Sequence, residues 1–152
     1  MRALFFGFVL VFSFQASATE VLHSRQVDQL FTEGPRLVVL WSVDCPPCYK
    51  ELALLETLLE THQKLAVTFV ATDDDPSRYP EVDVMHQRLQ GEQLQKWVFA
   101  EMNAPQLRFA IDPNWSGVLP RSYFINHKGQ RFAHSGLLES RQIMDWFELS
   151  GS

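Results

Sequence analysis

Only two cysteines occur among the 152 residues, Cys45 and Cys48, and two residues separate them. A pair so close cannot tie distant parts of a fold together, which excludes a structural-disulfide framework. Two thiols are also too few for a structural zinc site unless histidines join them. The chain has no internal repeat, no low-complexity tract and no long charge run, so it reads as one continuous globular unit. Basic residues are outnumbered, 13 against 18 acids, for a net charge of −5. That balance argues against nucleic acid or an anionic membrane surface as a partner.

What is there begins with a leader. Arg2 precedes an apolar run from Ala3 to Phe14, followed by Ala16-Ser17-Ala18. This is the layout of a secretory signal peptide, and the run falls short of the roughly 20 apolar residues that span a bilayer. Cleavage after Ala18 is expected, with an uncleaved anchor as the rival reading. Removing residues 1–18 takes one arginine and no acid, which leaves 134 residues with a net charge of −6. That length suits a single domain, residues 19–152, on the far side of the membrane.

Hydrophobic periodicity sets out the elements. Val27, Leu30 and Phe31 recur at helical spacing behind Ser24, and Gly34-Pro35 ends that segment. Leu37–Trp41 and Leu65–Thr72 are apolar runs of strand length, suited to burial on both faces. Between them, Leu52, Leu55, Leu58 and Leu59 form one stripe of a helix running from Pro47 to about His62. Strand, helix, strand calls for a parallel pair with a crossover. Asp73-Asp74-Asp75-Pro76 is expected to be a solvated loop. Residues 82–103 read as helical around Val84, Leu89, Leu94, Trp97 and Val98, with a break at Gly91. Leu107–Ile111 reads as a short strand and Asp112-Pro113-Asn114 as a turn. Ser122–Ile125 and Arg131–Ser135 flank a turn in a hairpin, and Glu139–Leu149 closes the chain as a helix. The expected fold is α/β, a three-layer sandwich with a mixed central sheet and helices on both faces.

The chemistry points to Cys45-Pro46-Pro47-Cys48, where the strand ending at Trp41 gives way to a helix. A thiol there meets the positive end of the helix dipole, so the Cys45 pKa is expected below the roughly 8.5 of a free cysteine. Cys45, at the outer edge, would exchange with a partner's sulfur, and Cys48, one turn in, would resolve the mixed disulfide. Pro47 fits a first helical turn, where its missing N–H has no intrahelical partner, and Pro46 stiffens the approach. Glu51 stands three residues after Cys48, on the neighbouring helix face, where a carboxylate could relay a proton to the resolving thiol. A solvated surface glutamate is the competing reading.

The stretch VVLWSVDCPPCYKEL resembles the thioredoxin superfamily, in particular its periplasmic TlpA/ResA-like branch of exported thiol-disulfide oxidoreductases. Three features carry the resemblance: Trp41 through Cys48, Glu51 in a CxxCxxE pattern, and Val118-Leu119-Pro120 before Ser122-Tyr123-Phe124-Ile125-Asn126. The resemblance implies a thioredoxin-like sandwich and a cis peptide at Pro120 opposite the cysteines. It also implies that backbone at Leu119 pairs with an extended substrate, with Trp41, Pro46 and Pro47 on the substrate side. The acid that many thioredoxins bury six residues before the first cysteine would fall at Val39, which cannot titrate. The chain departs from the branch in other ways. Ala53 stands where proline is common after the glutamate, and only seven residues separate Asp112 from Pro120, so a helix often found there would be short or absent. Residues 73–104 exceed a minimal crossover and read as a helical insertion, an added pair.

The function implied is disulfide exchange with cysteine-containing exported proteins, as a reductant recharged by a membrane electron donor. It needs no cofactor and no metal, and the protein is expected to be a monomer. The alternative is a Cu(I) metallochaperone using the same dithiol with Met85, His86 or His134, since soft thiolates suit that ion.

Overall fold

A computed structural model describes residues 18–31 and 34–150. The signal-peptide reading therefore lies, apart from Ala18, outside the described residues. The chain runs β1 (Glu20–Leu22), a 3-10 helix (Ser24–Phe31), β2 (Arg36–Trp41), α1 (Pro46–Thr61) and β3 (Ala66–Ala71). A 3-10 turn (Pro76–Arg78) leads into α2 (Tyr79–Arg88), followed by β4 (Gln93–Phe99) and α3 (Ala104–Ile111). The hairpin β5 (Arg121–Ile125) and β6 (Arg131–Ser135) and then α4 (Ser140–Ser150) complete it.

The strands form one mixed sheet in the order β1-β4-β3-β2-β5-β6. β2, β3, β4 and β1 are parallel, with Val39 opposite Phe69 and Val70 opposite Trp97. β5 turns back antiparallel to β2, and β6 to β5, so that Val39, Ser122 and His134 share a row.

β2 is buried at all six positions because its two faces feed different cores. Leu37, Val39 and Trp41 pack with Leu52, Leu55 and Leu59 of α1, Val82 of α2 and Ile143 of α4. Val38 and Leu40 pack on the opposite face with Val27, Leu30 and Phe31 of the 3-10 helix and Leu107 and Ile111 of α3. A strand covered on both sides has no polar face, which explains the unbroken apolar run. Gly34 precedes β2 at a close approach: a Cβ there would lie 2.2 Å from the Asn126 carbonyl oxygen.

Two segments differ from the sequence expectation. Residues 82–103 do not stay helical. The helix ends at Arg88, and β4 enters the sheet between β3 and β1, so 73–104 holds one helix and a strand rather than an added helical pair. Leu94, Trp97 and Val98 fall at helical spacing, but a short apolar run does not separate a helix from a strand buried on both faces. Trp97 and Phe99 point into one core and Val98 into the other. Leu107–Ile111 is the end of α3, not a strand; Leu107 and Ile111 bury one helical turn apart behind Pro105 in the first turn. No helix lies between Asp112 and Pro120, in line with the short spacing there. The segment behind Ser24 is helical as expected but tightened to 3-10. The hairpin, the turn at Asp112 and the closing helix fall where the sequence places them.

Candidate functional site

The redox motif begins where β2 ends, and a web of hydrogen bonds shapes the four-residue connection to α1. Asp73, at the end of β3, is buried; its Oδ1 accepts from Ser42 Oγ at 2.8 Å and its Oδ2 from the Val43 N–H at 3.2 Å. Ser42 Oγ accepts the Asp44 N–H, and the Ser42 carbonyl accepts the Cys45 N–H. The Tyr49 hydroxyl donates to the Val43 carbonyl at 2.9 Å. Asp44 pairs with Arg78 at 2.6 Å. Asp73 is therefore more than part of a solvated loop. Burial raises its pKa, opposed by the two hydrogen bonds it accepts. Asp74 Oδ2 accepts the N–H of Ala104 at the start of α3, and Asp75 caps the 3-10 turn through Ser77.

Cys45 caps the N-terminus of α1, and Cys45 and Cys48 are joined as a disulfide with Cα atoms 5.3 Å apart. The Cys48 N–H points at Cys45 Sγ, 3.3 Å away. Pro46 and Pro47 occupy the exposed first turn, where the helix lacks intrahelical acceptors for N–H groups and loses nothing by having none. The two sulfurs are unequal: Cys45 is half-buried and Cys48 fully enclosed in the core. The Leu119–Pro120 peptide is cis, as the resemblance implies, and Leu119 packs against the same core cluster as Cys45. A cleft of about 290 Å³ beside the motif is lined by Ser42, Asp44, Asp73, Arg78, Arg108 and Leu119.

Glu51 is not a solvated surface residue. It is 1% exposed, and its Oε2 accepts the Leu138 N–H at 2.9 Å while Oε1 has no partner. Burial raises its pKa; the Leu138 N–H and the charge of His134 pull it back. The helix sets Glu51 one turn from the enclosed sulfur.

Trp41, expected on the substrate side, has no exposed surface. Its Nε1–H donates to Nε2 of His86 at 3.3 Å, and the rings meet edge to face. Trp41 is a packing residue under the motif, not a contact for a partner. His86 is itself buried, and its Nδ1 lies 2.9 Å from Thr19 Oγ1. Because Nε2 accepts from Trp41, Nδ1 carries the proton and donates to Thr19. Burial, then the charge of Lys96, lowers the His86 pKa to about 3. With both ring nitrogens occupied, His86 is no ligand for copper. Met85 packs against the core, His134 Nε2 is engaged with the Leu137 carbonyl, and no group of three or more His, Cys, Asp or Glu among the described residues could hold a metal ion. The copper reading is left without support.

Sequence reasoning missed the roles of Asp73, Ser122 and Leu138, and weighed His86 and His134 as copper ligands against plain surface or core histidines. The register that places Ser122 beside Val39 and the chain path that brings Leu138 to Glu51 carry no local sequence signal.

No protein-family model matches the chain, and no curated protein does. Solved structures do. A thio-disulfide isomerase from Thermus thermophilus matches with a TM-score of 0.57 at 15% identity, over 80% of this chain and 82% of that one. StoA from Bacillus subtilis matches with a TM-score of 0.51 at 19% identity, over 76% and 84%. A thioredoxin-related protein from Neisseria meningitidis serogroup B matches with a TM-score of 0.54 at 19% identity, over 78% and 87%. At such identities the likeness is one of fold, and the fold is thioredoxin-like.

Proposed function

We propose that the protein is an exported thiol-disulfide oxidoreductase that exchanges its Cys45–Cys48 disulfide with cysteines of partner proteins, acting as a reductant. The observation that carries the reading is the inequality of the two sulfurs at the start of α1: one reachable, one enclosed. In the dithiol form, the Cys48 N–H and the helix dipole favour a thiolate at Cys45. That thiolate attacks a partner disulfide, and Cys48 then attacks Cys45 Sγ, releasing the reduced partner. Glu51, one turn along the helix, takes the proton that Cys48 must lose. Pro46, Pro47 and Leu119 flank the reachable sulfur and form the contact surface for the partner's extended segment.

Thiol exchange is in keeping with the thio-disulfide isomerase named among the similar folds. Export rests on the leader-like residues 1–18; no helix among the described residues is long and apolar enough to cross a membrane. The reducing direction, the membrane electron donor and the monomeric state rest on the sequence resemblance. The test is the reduction potential of the Cys45/Cys48 couple together with insulin reduction. Insulin reduction that disappears in Cys45→Ser supports exchange. A potential near the roughly −120 mV of a strong oxidant would overturn the reducing direction.

A further inference from the structure

The layer between α1 and the antiparallel half of the sheet holds polar groups that no packing requirement explains. Val39 of β2 lies opposite Ser122 of β5, and Ser122 opposite His134 of β6. Directly opposed residues of antiparallel strands project from one face, with Cβ atoms about 4.5–5.5 Å apart. Val39 belongs to the core beneath α1, so Ser122 and His134 stand on that same side. Glu51 leaves α1 on this side and reaches the N–H of Leu138, in the segment after β6.

Two oxygens in this layer lack a hydrogen-bond partner although their residues are enclosed: Glu51 Oε1 and Ser122 Oγ, in side chains 1% and 0% exposed. Buried oxygens left in this way are costly, and they mark functional chemistry or the seat of an internal water. His134 stands at the outer end, half-buried, with Nε2 3.2 Å from the Leu137 carbonyl. A carbonyl only accepts, so Nε2 carries hydrogen and Nδ1 is the nitrogen that can take up a further proton.

Resting on the thiol-exchange reading above, we propose that Glu51, Ser122 and His134 form the proton path of the redox site. No two of the three are hydrogen-bonded directly, so the path runs through water seated at the two unpartnered oxygens: His134 exchanges with solvent, that water and the Ser122 hydroxyl carry the proton inward, and Glu51 delivers it to Cys48. The path takes over the work of a strand carboxylate, for which Val39 leaves no group. The ionisable groups that bear on Glu51 are Cys48, one turn back along α1, and His134 of β6, whose charge acts on its carboxylate; the row that His134 ends in the sheet otherwise holds the Ser122 hydroxyl and the inert Val39. The Arg141 and Asp145 side chains of α4 pair with each other in solvent.

When a partner dithiol reduces the disulfide, one partner thiolate attacks Cys45 Sγ. The Cys45–Cys48 bond breaks and its electron pair goes to Cys48 Sγ. Glu51 protonates that sulfur and is reprotonated from His134 through Ser122, while His134 draws on water. The second partner thiolate then forms the partner's disulfide and expels Cys45 as a thiolate, which takes a proton from water. Two protons leave the partner's dithiol and two enter the protein. The partner is oxidised and the cysteine pair reduced, and the reverse reaction retraces the path.

The test is stopped-flow reduction of the intact disulfide by dithiothreitol, from about pH 5 to about pH 9, in wild type, Glu51→Gln, His134→Gln and Ser122→Ala. Each rate is taken as a ratio to wild type, so the ionisation of the reagent cancels. The expected result is a loss of about ten-fold or more near neutral pH in all three variants, with added imidazole restoring His134→Gln alone. His134 lies on the exposed edge strand and Ser122→Ala removes one atom, so both variants are expected to fold, which a thermal melt checks. Wild-type pH profiles in His134→Gln and Ser122→Ala beside a slow Glu51→Gln would overturn the path and leave Glu51 in place. A wild-type profile in all three overturns the path and the role of Glu51 together. Failure of the wild type to reduce insulin separately strikes the thiol-exchange reading.

Discussion

The Trp41 indole N–H is held by the His86 ring at 3.3 Å, which joins the strand leading into the redox motif to α2. Trp41→Phe keeps one aromatic ring but leaves His86 Nε2 buried without a donor and a void where the rest of the fully buried indole stood. The expected cost is about 1–3 kcal/mol, read from urea unfolding at neutral pH. No change in midpoint would show that neither the bond nor the indole's packing contributes net stability.

The same histidine makes stability depend on pH. Its pKa falls from 6.5 in the reference state to about 3 in the fold, so below pH 6.5 the unfolded chain binds the proton more readily. His86 therefore contributes full stability above about pH 6.5 and loses it as pH drops toward 3, a swing of a few kcal/mol. His86→Gln is expected to flatten the melting temperature over that window. An unchanged slope between wild type and variant would count against a buried neutral ring.

Glu51 and Asp73 act in the opposite sense. Burial raises both pKa values, so the folded state holds their protons more tightly than the unfolded state does. Ionising each group therefore costs stability at neutral pH relative to its protonated form, and that cost disappears as pH falls through its folded and then its unfolded pKa. Glu51→Gln is expected to melt higher than wild type at pH 7 and to converge with it in acid. A variant that melts lower at pH 7 would mean that the Leu138 N–H favours the anion enough to outweigh burial.

Asp73 holds the loop from which Cys45 projects. Asp73→Ala removes the acceptor of Ser42 Oγ and of the Val43 N–H. A loss of about 1–3 kcal/mol is expected, with slower exchange at Cys45. Asp73→Asn, which keeps one acceptor oxygen, should fall between. Alkylation kinetics of the reduced protein measure the second effect, and equal rates in all three proteins would remove the positioning role.

Cys48→Ser should leave Cys45 able to form a mixed disulfide that nothing resolves. In the native compartment the variant is expected to carry a covalently attached partner that is released by reductant. A blank trap beside a well-expressed variant would argue against a protein substrate.

Much of this was legible in the sequence because it is local. The CPPC motif at a strand-helix junction, the α1 stripe of Leu52, Leu55 and Leu59, and the hairpin at Asn126-His127-Lys128-Gly129 each declare themselves within a few residues. β4 and α3 were misread for the opposite reason. In Leu94–Ala100 the spacing fits a helix as well as a strand packed on both sides, and only the place between β3 and β1 decides. In Leu107–Ile111 the window starts one turn too late to show the helix. Glu51 could be located but not its burial, since its partner Leu138 lies far along the chain. For Trp41 the resemblance and the local pattern point opposite ways: the first sets it on the substrate side, the second at the end of a strand buried on both faces, and the structure follows the strand.

The enclosed sulfur and the carboxylate ride on a single element. Cys48 and Glu51 are fixed to one another by one turn of α1, whereas residues that reach across from a strand depend on how tightly helix and sheet are pressed together. Breathing of α1 against the sheet therefore alters how wet the pair becomes but hardly the separation between them. In the proposed path, the last proton hop is thus mechanically insulated from movement of α1 against the sheet.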